Sequence, residues 1–129
     1  MSRRSRERRH NCRFGGKKGW WKGKKNEEKF YCSFCLESFE KPNWLKKVRY
    51  GTPDEDNQGI DFVVETYSSP PFIFIQIKSS EAGKRKFWKQ HSPESFNFPI
   101  IVLVLNKHIR HNNIRRMLFE TIKIRIGLY

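Results

Sequence analysis

The sequence predicts an α/β domain built on a mixed four-stranded sheet flanked by helices. Apolar side chains recur at helical spacing near both ends of the chain, and four runs rich in β-branched and aromatic residues lie between them. A helical segment separates the third of these runs from the fourth. The order helix, three strands, helix, strand and helix is typical of an α/β sandwich. At 129 residues the chain has room for one such domain.

The first predicted helix covers residues 26–40, where Phe30 and Phe34 recur at helical spacing and Pro42 ends the pattern. A final helix is predicted near the C-terminus, but residues 121–126 also alternate as a strand would, so both interpretations of that end stay open. The other predicted elements are a strand at 44–50, an acidic loop at 51–59, strands at 60–67 and 72–78, a helix at 81–90 and a strand at 100–105.

The second and third strands form a predicted antiparallel hairpin. Residues 60–67 and 72–78 are rich in β-branched and aromatic side chains, and the Ser-Ser-Pro-Pro run at 68–71 is a turn signal between them. A turn centred on that run places Tyr67 opposite Phe72.

Polar residues interrupt the open end of this hairpin. The same register places Asp61 opposite Lys78, and because side chains alternate along a strand, Gln76 shares a face with Lys78. Asp61 then lies directly across from one of these residues and diagonal to the other. Two oxygen ligands beside a lysine suit a hydrated divalent cation held next to a phosphate.

This spacing resembles a known nuclease motif. Asp61, followed fifteen residues later by the triplet Gln-Ile-Lys that begins at Gln76, resembles the motif of the PD-(D/E)xK nuclease superfamily. The resemblance covers residues 27–105. Gln76 stands where the second acid of the motif usually stands, in a D…Q-x-K variant similar to some restriction-type and archaeal-resolvase-like branches.

A second resemblance is to a group of small bacterial proteins of unassigned function within the same superfamily. Three runs carry this resemblance, at residues 44–49, 51–56 and 59–61. In the last run, glycine and isoleucine precede Asp61, where the superfamily motif has proline.

The superfamily resemblance implies a restriction-endonuclease-like core and a metal-dependent nuclease that hydrolyses phosphodiester bonds of nucleic acid, with DNA as the expected substrate. It implies Mg²⁺ or Mn²⁺ as the cofactor and a repair, resolvase or restriction-like role. A homodimer would place two sites for the cutting of two strands.

Five residues are the predicted centre. Asp61 would bind the metal with the side-chain oxygen of Gln76 and the carbonyl of Ile77, while Lys78 would steer the attacking water or stabilise the phosphoryl oxygens. The resemblance implies Glu27, on the first helix, as a further ligand. It would supply negative charge that Gln76 lacks.

Each of these assignments has a plainer alternative. Asp61 and Lys78 also fit a cross-strand ion pair at a sheet edge. Glu27 and its neighbour Glu28 also fit first-turn acids that the helix dipole favours, and Glu28 is rotated about 100° away around the helix.

Most of the positive charge lies at the N-terminus. The chain carries a net charge of +14, and residues 1–25 hold eleven Lys and Arg against the single acid Glu7. Residues 1–25 are therefore predicted to be a disordered basic tail, with the nuclease-like α/β domain at 26–129. The tail suits either a nucleic-acid-binding arm or a solubilising extension. The arginines predicted to contact phosphate there are Arg3, Arg4, Arg8 and Arg9.

The helix at 81–90 offers a second basic surface directly after the predicted centre. Its charged residues fit contacts to a DNA backbone, and a solvated helix face is the alternative. They are Lys84, Arg85, Lys86 and Lys89.

Two polar pairs flank the centre. Glu55 and Asp56 would either contact a metal or keep their loop soluble. Ser79 and Ser80 would donate to phosphate, cap the following helix, or do both.

Zinc is disfavoured. Cys32 and Cys35 have metal-ligand spacing, but they lie in the first predicted helix, and their nearest partners, His10 and Cys12, lie in the tail. Three cysteines also argue against a disulfide framework. No ligand spacing marks the remaining histidines, which are His91, His108 and His111.

The sequence contains no apolar run that predicts a membrane span or a signal peptide, so a cytoplasmic protein without a membrane partner is expected. Two rival functions remain. One is a nuclease-fold nucleic-acid-binding protein that is weakly active or inactive because Gln76 leaves too few acids. The other, suggested by the tail alone, is a small basic protein of ribonucleoprotein particles.

Overall fold

The computed structural model describes residues 21–36, 39–106 and 108–127, and in the first helix it describes side chains from Lys25 onward. Nine short and medium elements follow one another in this part of the chain. They are α1 (Trp21–Ser33), β1 (Leu45–Tyr50), α2 (Pro53–Asn57), β2 (Phe62–Thr66), β3 (Phe72–Lys78), α3 (Glu81–Gln90), a 3₁₀ turn (Pro93–Ser95), β4 (Ile100–Val104) and α4 (His111–Arg125).

The four strands form one mixed sheet in the order β1-β2-β3-β4. β1 and β3 both run antiparallel to β2, while β4 runs parallel to β3. A parallel pair needs a long crossover, and α3 supplies it. The predicted α/β fold with a mixed four-stranded sheet between helices is confirmed.

The two faces of the sheet are covered by different helices. On one face Phe30 of α1 packs with three residues of α4, namely Ile114, Leu118 and Ile122. On the other face Phe87 of α3 packs against side chains of β2, β3 and β4. Alternation along β3 sends Ile75 and Ile77 to the first face and Phe74 to the second. Gln76 and Lys78, an even number of residues from Phe74, therefore belong on the α3 face.

The hairpin register differs from the prediction by two residues. Glu65, rather than Tyr67, is paired with Phe72, and the backbone N–H of Thr66 donates to the carbonyl of Pro71 at 2.9 Å. The loop is wider than predicted, and within it the Thr66 hydroxyl donates to the main-chain carbonyl of Pro70 at 2.6 Å. Since the shift is an even number, every side chain keeps its predicted face.

This correction changes the partner of Asp61. The predicted register placed Asp61 opposite Lys78, whereas the observed pairs of Phe62 with Ile75 and Val63 with Phe74, extended by one residue, place it beside Gln76. β2 also begins at Phe62, two residues later than predicted.

The first helix is shifted toward the N-terminus. It begins at Trp21 and ends at Ser33, so part of the predicted tail is helical, and the predicted helix end at residue 40 is wrong. Lysine is a good helix former, which lets the helix continue into the basic segment. At the other end the Ser33 hydroxyl donates to the carbonyl of Phe30 at 2.7 Å, and Arg115 donates to the Ser33 carbonyl at 2.6 Å. These contacts satisfy main-chain groups where the helix stops.

The ambiguous C-terminal segment is helical. Ile122 is fully buried while Ile124, two residues on, is 81% exposed, as expected when only one stripe of a helix faces the core. None of the helices that the structure describes has the length and apolar character that crossing a membrane requires.

Candidate functional site

Asp61 is fixed immediately before β2 by hydrogen bonds on both sides of its main chain. Its N–H donates to the carbonyl of Ile75 at 2.8 Å, and its carbonyl accepts from the N–H of Gly51 at 2.9 Å. Its side chain turns toward β3, where Oδ2 accepts a hydrogen bond from the N–H of Ile77 at 2.8 Å. The carboxylate therefore lies beside β3, just before the first residue of β2.

The surroundings of Asp61 favour its protonated form. Burial raises the pKa of Asp61 to about 7, and the negative charges of Glu27 and Asp56 act in the same direction. The hydrogen bond from Ile77 and the positive charge of Lys78 lower the pKa but do not offset the burial. The fold thus holds a carboxylate in a place where a nearby cation would stabilise it.

Gln76 connects Asp61 to Lys78. Its side chain is 7% exposed. With its amide nitrogen toward Asp61, that nitrogen donates to Asp61 Oδ2 at 3.3 Å and to the carbonyl of Gly59, while the amide oxygen accepts from Lys78 Nζ at 3.2 Å. The opposite orientation would set the amide oxygen against two acceptors and the amide nitrogen against an ammonium. The three residues that the sequence singled out do come together, with the amide in the middle.

Lys78 is held from its other side by α3. Its ammonium lies 5.6 Å from the centre of the Phe87 ring, within the range of a cation–π contact. Gly83 lies beside its stem: a Cβ on Gly83 would be 3.7 Å from both Cβ and Cδ of Lys78. The ammonium is therefore placed between the ring and the Gln76 oxygen, and part of the side chain remains exposed.

Glu27 lies within electrostatic range of Asp61, although α1 packs on the opposite face of the sheet. It raises the pKa of Asp61, and together with Glu28 it adds to the effect of burial that raises the pKa of Tyr50. At Tyr50 the charge of Glu28 has the larger effect of the two. Of the two glutamates, Glu27 is the better placed to act with Asp61.

The oxygens at the centre fit a hard cation such as Mg²⁺. Asp61 offers a carboxylate, Gln76 an amide oxygen in one of its orientations, and Gly59 a carbonyl beside the same amide. Ile77 meets Asp61 through its N–H, and the proposed role of its carbonyl stays a prediction. Among residues 25–36, 39–106 and 108–127, no group of three His, Cys, Asp or Glu side chains is placed to hold a metal. A cation here would therefore need amide or main-chain oxygens as well as carboxylates.

Glu55 serves the fold. It completes a capping box with Thr52 at the start of α2, and it forms a salt bridge of 2.9 Å with Arg49, which also contacts Glu65 at 2.6 Å. These hydrogen bonds hold the pKa of Glu55 below its usual value, with Arg49 as the largest cause. Asp56 is exposed and acts on the site through its effect on the pKa of Asp61.

Ser80 caps α3, which is one of its two predicted roles. Its hydroxyl accepts from the N–H of Gly83 at 3.0 Å. The helix that it starts turns Phe87 inward and carries the basic residues that follow Lys78. Arg85, Lys86 and Lys89 are exposed and Lys84 is half-buried. The tail residues Arg3, Arg4, Arg8 and Arg9 lie outside the described residues.

Cys32 and Cys35, the two zinc candidates that the structure describes, are in different states. Cys32 is disulfide-bonded, whereas the odd cysteine count argued against a disulfide framework, and Cys35 is a half-buried free thiol. His10 and Cys12 lie outside the described residues.

Sequence reasoning missed Gly59. This glycine has φ of +91°, and a Cβ there would lie 2.9 Å from the Phe87 ring. Its carbonyl reaches the Gln76 amide because the chain turns at this point. His91 was also assigned no chemistry, yet its ring stacks on Phe87 at 4.3 Å and its Nε2 is 3.7 Å from a Cβ built on Gly59. The glycine directly before the apolar run at residue 60 was the signal for such a turn.

No family model, curated protein or solved structure matches this chain.

Proposed function

We propose that this chain is a metal-dependent phosphodiesterase that acts on nucleic acid, with DNA as the expected substrate. The observation that carries the proposal is the line of side chains Asp61, Gln76 and Lys78, in which a half-buried carboxylate, an amide and an ammonium lie within hydrogen-bonding distance of their neighbours. A carboxylate with a strongly raised pKa beside a lysine is typical of a functional site.

The arrangement of elements supports the same proposal. A helix, three antiparallel strands, a crossover helix and a fourth strand parallel to the third are similar to the restriction-endonuclease-like core, and we propose membership of the PD-(D/E)xK superfamily on that basis. The positions of Asp61 directly before β2 and of Gln76 and Lys78 at the end of β3 support this proposal. Gln76 remains the departure from the motif.

Each residue has a role in the proposed reaction. Asp61 and Gln76 would hold Mg²⁺ or Mn²⁺, and Glu27 would supply a second negative charge from α1. When bound, the cation would supply positive charge that activates water and offsets the charge of the phosphate. Lys78 would orient the attacking water or donate to the phosphoryl oxygens.

The basic surface would bring the substrate to this centre. α3 begins three residues after Lys78, so its exposed residues Arg85, Lys86 and Lys89, with Lys84 beside them, would contact the phosphate backbone on either side of the cleaved bond. The net charge of +14 would add attraction without sequence preference. A repair, resolvase or restriction-like role and a homodimer that cuts both strands are compatible with this surface.

The test is cleavage of labelled linear, branched and single-stranded DNA in the presence of Mg²⁺ or Mn²⁺. We expect Lys78→Ala to lose about 100-fold or more of the activity, as when a donor to a developing negative charge is removed. Lys46→Ala is the matched control, because Lys46 is an exposed lysine of β1 away from the centre, and its activity should stay within about twofold of wild type. Equal activity of wild type and Lys78→Ala would remove the catalytic proposal.

One observation favours a second candidate, a nucleic-acid-binding protein without catalysis. With its amide nitrogen toward Asp61 and Gly59, Gln76 satisfies its neighbours without any cation. The same assay distinguishes the two functions. DNA binding that is equal in wild type and Asp61→Ala, with no cleavage in either, would establish the binding protein.

A further inference from the structure

The space that the Gly59 carbonyl and the Asp61 carboxylate both face requires a hydrogen-bond donor or a cation. The Gly59 carbonyl and the Asp61 carboxylate both approach the same end of the Gln76 amide. Two oxygen acceptors that face one point need either a hydrogen-bond donor or a cation at that point. The amide nitrogen of Gln76 meets this requirement in one orientation. In the other orientation the amide oxygen completes a set of three oxygens that a cation would bridge.

The other end of the same amide faces Lys78. When the nitrogen points to Gly59 and Asp61, the oxygen accepts from Lys78 Nζ at 3.2 Å. When the oxygen points to Gly59 and Asp61, the amide NH₂ faces the ammonium, and two donors cannot pair. The side chain is only 7% exposed, so water cannot readily separate them. The orientation that admits a cation therefore breaks the contact between Gln76 and Lys78.

We propose that the Gly59 carbonyl is a cation ligand with Asp61 and Gln76, and that binding of a divalent cation turns the Gln76 amide and releases the Lys78 ammonium. This inference rests on the proposed function for the destination of the ammonium, which is a phosphate oxygen of the substrate. Gln76 is then a positioning residue as well as a ligand. It keeps Lys78 engaged until a cation arrives, and it makes the ammonium available when the cation is in place.

Glutamine at position 76 imposes an order of events, cation binding before release of Lys78, that glutamate would not impose. A carboxylate has an oxygen at both ends, so glutamate at this position would bind a cation and Lys78 at the same time. With glutamine the two contacts exclude each other. The substitution Gln76→Glu should therefore raise Mn²⁺ affinity about tenfold or more, because it adds charge and removes the need to turn. Equal or weaker Mn²⁺ binding by a folded Gln76→Glu protein would contradict the inference.

The direct experiment follows the amide by NMR in the full wild-type chain during a Mg²⁺ titration. Only three glutamines are present, and Gln58 and Gln90 are exposed, so their side-chain NH₂ resonances are internal controls in the same spectrum. We expect the Gln76 NH₂ resonances and the ε-methylene resonance of Lys78 to shift together along one binding curve while the two control amides stay unchanged. In Asp61→Asn neither resonance should respond at the same Mg²⁺ concentrations.

The outcomes separate this inference from the proposed function. Shifts at Gln76 and Lys78 without any cleavage of nucleic acid would support the cation-driven turn and overturn the phosphodiesterase. Cleavage that depends on Lys78, with a Gln76 amide that does not respond to saturating Mg²⁺, would support the phosphodiesterase and overturn the turn. A Mg²⁺ titration that shifts neither residue in an inactive protein would overturn both.

Discussion

Asp61 and Glu55 lie six residues apart in the segment that leads into β2, yet the structure treats the two carboxylates in opposite ways. Glu55 receives hydrogen bonds from Arg49 and from the main chain of Thr52, and its pKa is lowered. Asp61 is half-buried against an N–H and an amide, and its pKa is raised to about 7. The acid with charged and hydrogen-bonding partners supports the fold, and the acid with the raised pKa lies at the candidate functional site.

The largest expected change in stability comes from removing the charge of Asp61. Asp61→Asn keeps an oxygen that accepts from Ile77 but removes the charge that burial disfavours. At about 1.4 kcal/mol per pKa unit, the rise of the Asp61 pKa to about 7 corresponds to at most about 4 kcal/mol at about pH 8. Because Asp61 is half-buried, solvent screening should reduce the expected gain in the free energy of unfolding to about 2–3 kcal/mol. Urea unfolding in the absence of divalent cations measures the difference.

The pH dependence of that difference has a definite sign. A raised pKa means that the folded state holds its proton while the unfolded state has lost it, so the wild type loses stability as the pH rises from about 4 to about 7. The advantage of Asp61→Asn should therefore vanish below about pH 4 and level off above about pH 7. A stability advantage of Asp61→Asn that does not change with pH would show that burial does not raise the pKa of Asp61.

A smaller effect of opposite sign is expected at Glu55. Glu55→Ala removes the capping box and the salt bridge to Arg49, and it should lower the free energy of unfolding by about 1.5 kcal/mol at neutral pH, a value reduced because the pair is partly solvated. A lowered pKa gives stability that is present above the unfolded value and lost as the pH falls through the folded value. The wild-type advantage should therefore disappear in acid.

Asp54 supplies the control for this measurement. It is an exposed acid in the same first turn of α2 and takes no part in the capping box. Asp54→Ala should change the stability by less than about 0.5 kcal/mol. A loss equal to that of Glu55→Ala would mean that the charge of the turn, and not the specific contacts of Glu55, supports the fold.

Salt should give the smallest effect and the sharpest contrast. Raising NaCl from about 0.05 M to about 1 M should reduce the penalty of Glu55→Ala by a few tenths of a kcal/mol, because its salt bridge is partly exposed. The gain from Asp61→Asn should change less, because desolvation and not a screened charge causes it. Equal salt sensitivity in the two variants would contradict the distinction between the two carboxylates.

Local sequence patterns were sufficient to predict most elements of the fold. The strand over Phe72–Lys78 and the helix over Glu81–Gln90 were predicted with the boundaries observed, because each has a clear period and a clear end signal. Helix α1 was misplaced, since its end depends on a contact from Arg115, 82 residues away. The predicted hairpin register was wrong by two residues because the loop is wider than the turn signal at residues 68–71, and Thr66 forms hydrogen bonds within that loop.

The sequence by itself determined the α/β order of elements and the face that Asp61, Gln76 and Lys78 share, because alternation along a strand survives a register shift of two residues. Only the tertiary structure decided that Gln76 lies between the other two, that the Gly59 carbonyl joins them, and that Asp61 is held at a raised pKa. Those properties depend on distances and burial between segments far apart in the chain. Residue spacing carries no information about either.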